Sequence, residues 1–306
     1  MNLKPYNQTK IYGLNSYLED FIKLYNKKIL PNKILLSGSK GIGKSTLAYH
    51  LINYSLSINE DFSYDVKNFQ INSNNKDFKL INNHSNPNFD LKDKKDDKKN
   101  IDINQIRSLI EKLNKSSLNS KPRFVLINNI EFLNTNSINA LLKTLEEPND
   151  NIYFILINND KNVLSTLTSR CLSFKISLSH EQSKKIITHL IEDELINLIN
   201  DDLLNYYFTP GKVLNLINFA KVFEINLKNL NLKSFLSFLI DNKYYNKDIY
   251  IKELIYDFIE LFLYKKSSLI FSNMYNEFLK RMNDIKTYNL DEESFFLYFK
   301  TKLLNG

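Results

Sequence analysis

The sequence predicts an α/β domain with a parallel sheet and flanking helices, followed by a region that is entirely helical. Short apolar runs alternate with segments of helical spacing up to about residue 176, and a glycine-rich loop follows the first run. Such alternation predicts parallel strands joined by helical crossovers. Beyond about residue 180 the apolar residues keep the three- and four-residue spacing of helices, so further strands are not expected there.

Apolar runs and periodic segments place the individual elements of the first half. A helix is expected over 15–29, with Leu18, Ile22 and Leu24 facing inward. The charge-rich segment 90–100 has almost no apolar content, which predicts an exposed loop. The predicted strands are 33–36, 78–82, 123–127 and 152–157, and the other predicted helices are the one after the glycine-rich loop, 101–113 and 136–148, the last ended by Pro148.

Length and composition bound the class of protein. The 306 residues, with 43% hydrophobic and 25% charged, are enough for roughly two or three globular domains. A single cysteine, Cys171, excludes an internal disulfide and any cysteine-based zinc module, so no zinc is expected. No apolar run approaches the roughly 18 residues of a membrane span, and the first residues lead into no apolar signal segment. A cytoplasmic protein is therefore expected.

The residue usage is strongly biased, which changes how the net charge is interpreted. The chain has 44 Asn but only 3 Ala, 4 Arg and 6 Gly, as expected from an AT-rich genome. The formal charge of +7 consists mostly of lysines that this bias favours, so charge alone is weak evidence for nucleic-acid binding. Where Gly or Arg does occur, a local structural or chemical requirement is indicated.

The glycine-rich loop matches the G-x-x-x-x-G-K-[ST] pattern of phosphate-binding loops in full. In such loops the backbone N–H groups and the positive end of the following helix converge on phosphate oxygens. Lys44 supplies a charge to the β- and γ-phosphates, and the Ser45 hydroxyl is placed to bind Mg²⁺. The predicted cofactor is ATP or ADP with Mg²⁺, and the residues predicted to bind it are Gly38, Ser39, Lys40, Gly41, Ile42, Gly43, Lys44, Ser45 and Thr46.

Hydrolysis requires an acidic residue at the end of a second strand, which holds Mg²⁺, and a base that orients water. The strand 123–127 ends instead in Asn128 and Asn129, a degenerate acidic site with neither negative charge nor a base. Glu131 is the nearest carboxylate in sequence, and nothing in the sequence places Asp102 or Asp160 near the loop. The sequence therefore predicts nucleotide binding without efficient hydrolysis.

Two further strings point to a known family. ALLKTLEEP occupies residues 140–148, and Ser169-Arg170-Cys171 begins 21 residues after Pro148. Together with the phosphate loop, these strings resemble the bacterial clamp loaders of the AAA+ class in order and spacing. The resemblance implies a P-loop AAA+ domain over 1–176, a small helical lid over 177–226 and an all-α collar for oligomerisation over 227–306.

The family contains two kinds of bacterial subunit with these strings, the tau/gamma motor and delta prime. The chain is more similar to delta prime in two respects. A motor has an acidic pair where this chain has Asn128 and Asn129, and a motor contains a four-cysteine zinc module that this chain lacks. HSNPNFDLKD, from His84, and IDINQIRSLI also resemble delta prime. The resemblance implies tau/gamma and delta as partners. The beta sliding clamp and primer–template DNA would be reached through the complex, at the replisome on the nucleoid.

The resemblance also implies roles for single residues. Arg170 is expected to act in trans as an arginine finger on nucleotide bound by a neighbouring motor, because a planar guanidinium stabilises charge that develops on phosphate oxygens. Asn158 and Asn159 follow the fourth predicted strand, where a polar residue is a possible sensor of the γ-phosphate. Lys212, which opens a helix like the family's second sensor segment, either contacts phosphate or is a solvated lysine. Cys171 is expected to pack as a small apolar residue, and the Glu146-Glu147 pair to be solvated or at an interface.

Two alternatives stay open. The chain could be an active AAA+ motor that hydrolyses ATP at Lys44, against which Asn128 and Asn129 argue. It could also be a nucleotide-gated DNA-binding module outside replication, against which the ALLKTLEEP and Ser-Arg-Cys strings argue. On the favoured hypothesis the chain belongs to a DNA-directed DNA polymerase holoenzyme, and ATPase activity of its own is not expected.

Overall fold

The chain forms two compact units, residues 1–183 and 184–306. The structure is a computed structural model, and it describes residues 4–94, 98, 100–115, 119–146, 151–191, 195–204, 208–266, 272–288 and 290–304. The division of the helical region into a lid over 177–226 and a collar over 227–306 stays a prediction.

The first unit alternates helices and strands as the sequence predicts. Its elements are α1 (Asn15–Asn26), β1 (Lys33–Ser37), α2 (Lys44–Ser57), α3 (Lys76–Asn82), β2 (Phe89–Lys92), α4 (Ile103–Leu113), β3 (Arg123–Ile127), α5 (Thr135–Glu146), β4 (Ile152–Asn158), α6 (Ser165–Thr168) and β5 (Leu172–Lys175). The strands form a parallel sheet in the order β2-β3-β4-β1-β5. β1, which precedes the glycine-rich loop, therefore lies inside the sheet, between β4 and β5.

The three inner strands are buried on both faces, which explains their continuous apolar sequences. Successive side chains of a strand point to opposite faces, so Phe124 and Leu126 enter one core cluster while Val125 and Ile127 enter the other. Side chains from α1, α2 and α3 complete the first cluster, and side chains from α4, α5 and α6 complete the second. The unit is a three-layer α/β/α arrangement.

The prediction of a strand over 78–82 is wrong, because this segment belongs to α3. The Asn75 side chain accepts a hydrogen bond from the Phe78 N–H and caps the helix. Phe78 and Ile81 are both buried, and their spacing of three residues suits a helix face better than a strand. Five residues of mixed polarity are too few for periodicity to separate the two structures.

The exposed loop predicted over 90–100 is also wrong at its beginning, where β2 extends to Lys92. β2 pairs with β3 at one edge of the sheet, and β5 forms the other edge. β5 lies in a segment where the sequence predicts no strand, and its Leu172 is 54% exposed. Both edge strands are four residues long and partly polar, as edge strands that avoid further pairing often are.

The second region is helical, as the sequence predicts. It contains α7 (His180–Ile191), α8 (Leu195–Leu198), α9 (Pro210–Val222), α10 (Leu232–Asp241), α11 (Tyr244–Lys247), α12 (Ile249–Lys265), α13 (Ser272–Tyr288) and α14 (Glu292–Phe299). Its core is rich in phenylalanine, with Phe235, Phe258 and Phe296 fully buried. None of the helices in the described ranges is both long and apolar enough to cross a membrane.

Arg123, the first residue of β3, stabilises the first unit through its guanidinium. The side chain is only 8% exposed and donates to the backbone carbonyls of Lys112, Leu113 and Lys115, at 2.8, 3.2 and 3.1 Å. The first two of these carbonyls lie in the last turn of α4, where the helix leaves its acceptors without backbone partners. The positive charge also complements the negative end of the helix dipole.

We expect Arg123→Met to lower the free energy of unfolding of the first unit by roughly 2–4 kcal/mol, because it leaves buried carbonyls without donors. Urea titration followed by circular dichroism measures the change. The matched control is Arg107→Met, since Arg107 is exposed on α4, the helix that Arg123 caps, and its replacement should change stability by less than about 0.5 kcal/mol. Equal effects of the two variants would contradict the capping role.

Candidate nucleotide-binding site

The glycine-rich loop leaves the carboxyl end of β1 and enters α2 at Lys44. Gly38, Gly41 and Gly43 all have positive φ, at 148°, 89° and 96°. At Gly38 a Cβ atom would lie 2.2 Å from the backbone oxygen of Ile176, so only glycine fits there. The loop therefore has the strand–turn–helix geometry that phosphate binding requires.

Lys44 is buried at the base of the loop, with 3% of its surface exposed. Its ammonium donates to the backbone oxygens of Gly38, at 2.6 Å, and Ser39, at 2.8 Å. Burial lowers the pKa of Lys44 from 10.5 to about 8, and the negative charges of Asp160 and Glu131 oppose part of that shift. A buried cation at this point attracts phosphate strongly, because little solvent screens it.

Ser45 faces the end of β3. Its hydroxyl donates to Asn128 Oδ1 at 3.1 Å. The Asn128 Nδ2 group in turn donates to Asp93 Oδ2 at 3.2 Å, and Asn129 Nδ2 donates to Asp93 Oδ1 at 2.7 Å. Asp93 directly follows β2, so the phosphate loop and the residues after β2 and β3 meet at the carboxyl ends of the strands.

A second group of polar side chains joins the residues after β3 to those after β4, also at the carboxyl ends of the strands. Asn159 Nδ2 donates at 2.7 Å both to Asn129 Oδ1 and to Glu131 Oε1. The other oxygen, Glu131 Oε2, is buried and has no hydrogen-bond partner among the described residues. Asp160 accepts from the Ser39 hydroxyl at 3.2 Å. Asp160 therefore contacts the phosphate loop directly, and Glu131 lies near enough to act on the charge of Lys44.

The sequence alone does not assign Asp93 or Asp160 to this site. The predicted strand before Asp93 is 78–82, whereas the observed strand is β2, so Asp93 does not stand at a predicted strand end. Asp160 follows β4 closely, and the strand-end position was a signal that could have placed it. Asp102 lies elsewhere, where its side chain caps α4 by accepting from the Asn104 N–H.

The structure places Arg170 two residues before β5, at the amino ends of the parallel strands, whereas the phosphate loop lies at their carboxyl ends. Leu172 pairs with Ile34 near the start of β1, whereas the loop follows the end of that strand. The guanidinium donates to Glu146 Oε1, at 2.6 and 3.0 Å, and to the Thr166 backbone oxygen, at 2.7 Å. The length of the strands therefore separates Arg170 from the chain's own loop.

The remaining predicted residues have other partners in the structure. Asn158 closes a turn by bonding both the oxygen and the N–H of Lys161, so its amide is directed to the backbone. Lys212, in the first turn of α9, forms an ion pair with Asp257 at 2.6 Å. Their sensor roles stay predictions. Cys171 packs against one core cluster, and burial raises the pKa of its thiol to about 11. Glu147 and Pro148 lie outside the described residues.

A parallel sheet of this strand order, with a complete phosphate loop after its β1 strand and a helical region later in the sequence, defines a P-loop protein of the AAA+ class. Residues 13–180, more than half of the chain, match the family described as DNA polymerase III, delta subunit. The chain belongs to this family.

Known relatives are subunits of DNA polymerase III. The chain is 30% identical over 142 residues to a DNA polymerase III subunit gamma of Buchnera aphidicola subsp. Schizaphis graminum, covering 43% of this chain and 38% of that one. The gamma subunit of B. aphidicola subsp. Acyrthosiphon pisum is 29% identical, over 65% of this chain and 54% of that one. The delta' subunit of subsp. Schizaphis graminum is 26% identical over 283 residues, covering 86% and 82%.

The pKa of Lys44 predicts a pH-dependent contribution to stability. Between pH 8 and 10.5 the unfolded chain keeps the Lys44 proton that the folded chain has released, so stability rises with pH in that interval. We expect the stability of the wild type relative to Lys44→Met to increase by roughly 2–3 kcal/mol from pH 7 to pH 10. Urea denaturation of both proteins at each pH measures the difference, and a constant difference would contradict the lowered pKa.

Proposed function

We propose that this chain is the delta prime subunit of a bacterial DNA polymerase III clamp loader. In that role it helps open the ring-shaped sliding clamp and place it on primed DNA in the cytoplasm, together with tau/gamma and delta subunits. Family membership supports this proposal, as does a match that extends over most of a delta' relative. The observation that carries it is a complete phosphate loop whose Ser45 faces an asparagine, Asn128, in place of a carboxylate.

The loop geometry supports nucleotide binding. The glycine conformations expose backbone N–H groups at the start of α2, and the Lys44 ammonium lies at the base of the loop. The donor set also fits Mg²⁺, which prefers oxygen ligands, because the Ser45 hydroxyl and Asn128 Oδ1 lie within 3.1 Å of each other. These two groups would hold a nucleotide-bound Mg²⁺, which would screen the charge of the phosphates.

Efficient hydrolysis is not expected, because the side chains at the end of β3 are amides. Asn128 brings no negative charge to a metal ion, and Asn129 cannot accept a proton from water. Asn129 is instead bonded to Asp93 and Asn159, which fixes its amide within the polar network. Glu131 is the alternative base, and it would favour the motor hypothesis if it acted as one.

We expect the purified chain with Mg²⁺ and ATP to release phosphate no faster than Lys44→Ala does, while the wild type still binds labelled ATP. Replacing both amides, in Asn128→Asp/Asn129→Glu, restores the acidic pair and should raise turnover by at least about 10-fold. Turnover by the wild type that Lys44→Ala abolishes would overturn the non-hydrolysing hypothesis. Loss of that turnover in Glu131→Gln would then identify the base and favour the motor.

Arg170 is proposed to act in trans on nucleotide bound by an adjacent motor subunit. Arg170 lies at the other end of the strands from the loop of its own chain, which supports this role. The Glu146 carboxylate and the Thr166 carbonyl hold the guanidinium through donors on Nε, Nη2 and Nη1. Because the side chain is still 32% exposed, it can reach phosphate oxygens of a neighbour by exchanging Glu146 for them.

In a reconstituted clamp loader, we expect Arg170→Ala to lower the ATPase rate of the complex by about 10³-fold, at the lower end of the range for arginine fingers. Arg170→Lys should recover little of the rate, because an ammonium lacks the planar fork. Arg107→Ala is the matched control, since Arg107 is exposed on α4. A complex whose rate is equally insensitive to both alanine variants would overturn the finger role.

A further inference from the structure

The Asp93 carboxylate lies between two asparagine side chains at the carboxyl ends of β2 and β3. Its Oδ2 accepts from Asn128 Nδ2, and its Oδ1 accepts from Asn129 Nδ2 and from the Lys94 backbone N–H. Asp93 is half-buried, so solvent replaces these bonds only in part. The carboxylate therefore restricts how both amides are oriented.

The restriction matters most at Asn128. An asparagine side chain has a donor end and an acceptor end of nearly the same shape, so it can usually bind in either of two orientations. A carboxylate only accepts hydrogen bonds, which forces Asn128 to turn its nitrogen toward Asp93. The oxygen must then face the other way, and it accepts from the Ser45 hydroxyl at 3.1 Å. Were the amide reversed, an N–H donor would face the place where a cation binds.

We propose that Asp93 is a positioning residue for the divalent cation of the bound nucleotide. It holds the Asn128 oxygen toward Ser45, and it places a negative charge directly behind a ligand that has none of its own. The inference rests on the proposed nucleotide binding and adds the residue that makes a neutral side chain serve as a metal ligand. Outer partners of this kind commonly change metal affinity by about 10–100-fold.

The other carboxylates near the loop are bonded to different groups. Asp160 accepts from the Ser39 hydroxyl, at the start of the loop. Glu131 accepts from Asn159, and its second oxygen is buried without a partner among the described residues. In the part of the chain that the structure describes, Asp93 is the carboxylate whose hydrogen bond sets the orientation of Asn128.

The test measures ADP binding to the full chain by calorimetry, with Mg²⁺ and with EDTA. We expect Asp93→Asn to weaken ADP binding in Mg²⁺ by about 10-fold, because an amide at 93 permits both orientations of Asn128. Binding in EDTA should stay unchanged. The matched control is Asp90→Asn on β2, the strand that Asp93 follows, where the Asp90 carboxylate pairs with Lys112 at 2.8 Å and does not bond Asn128.

A second variant exchanges the two groups and guards against a general loss of structure. In Asp93→Asn/Asn128→Asp, the carboxylate at 128 accepts from the amide at 93, so the hydrogen bond is kept with its polarity reversed. The metal then meets a charged ligand directly. We expect ADP binding in Mg²⁺ to return to the wild-type affinity or to exceed it.

Three results would count against the proposal. Unchanged Mg²⁺-dependent binding in Asp93→Asn overturns it, and so does an equal loss with Mg²⁺ and with EDTA, which would mean that Asp93 shapes the loop. Failure of the exchange variant to recover Mg²⁺-dependent binding also overturns it. A wild type that binds no ADP under either condition overturns the proposed nucleotide binding itself, and is seen before any variant is made.

Discussion

The position of β1 inside the parallel sheet is the constraint on which the candidate site depends. β1 pairs with β4 on one side and β5 on the other, and Ser37 is in register with Asn158. The loop after β1 therefore emerges beside the residues that follow β4, which brings Asp160 to Ser39. β3 lies beyond β4 and ends at the same edge, so Asn128 meets Ser45. Parallel pairing gathers into one place side chains that are far apart in sequence.

The same pairing explains how the Asp93 carboxylate, which follows β2, lies next to the uncharged Asn128, which follows β3. β2 and β3 end together, with Lys92 in register with Ile127, so the residues that follow them adjoin. Asp93 can therefore lie behind Asn128 and influence it through one hydrogen bond. On the proposed function, the Asp93 carboxylate acts on the cation through the Asn128 side chain, whereas Asn129, which stands where a base would, cannot take a proton from water. The proposed function therefore assigns nucleotide binding and hydrolysis to different groups.

The sequence predicts the inner part of this fold well and its edges poorly. β1, β3 and β4 are buried on both faces, and their unbroken apolar runs are distinctive. β2 and β5 are short edge strands that mix charged and apolar residues, so neither differs in composition from a loop. The phosphate loop was predictable because backbone geometry demands glycine at fixed positions. Asp93 was not, because its place depends on an edge strand that periodicity could not locate.

Only four of the 41 basic residues are arginines, and three of the four make contacts that a lysine could not make. Lysine is abundant, yet the buried side chain that caps α4 is Arg123, whose planar fork reaches three carbonyls at once. Arg170 likewise uses three donors, on Glu146 and Thr166, and Arg281 stacks on the Tyr298 ring while it pairs with Glu277. A lysine ammonium is a point charge and reproduces none of these geometries. Where planar, multidentate contact is required, the chain keeps arginine, both in the core at Arg123 and at the partly exposed Arg170 and Arg281.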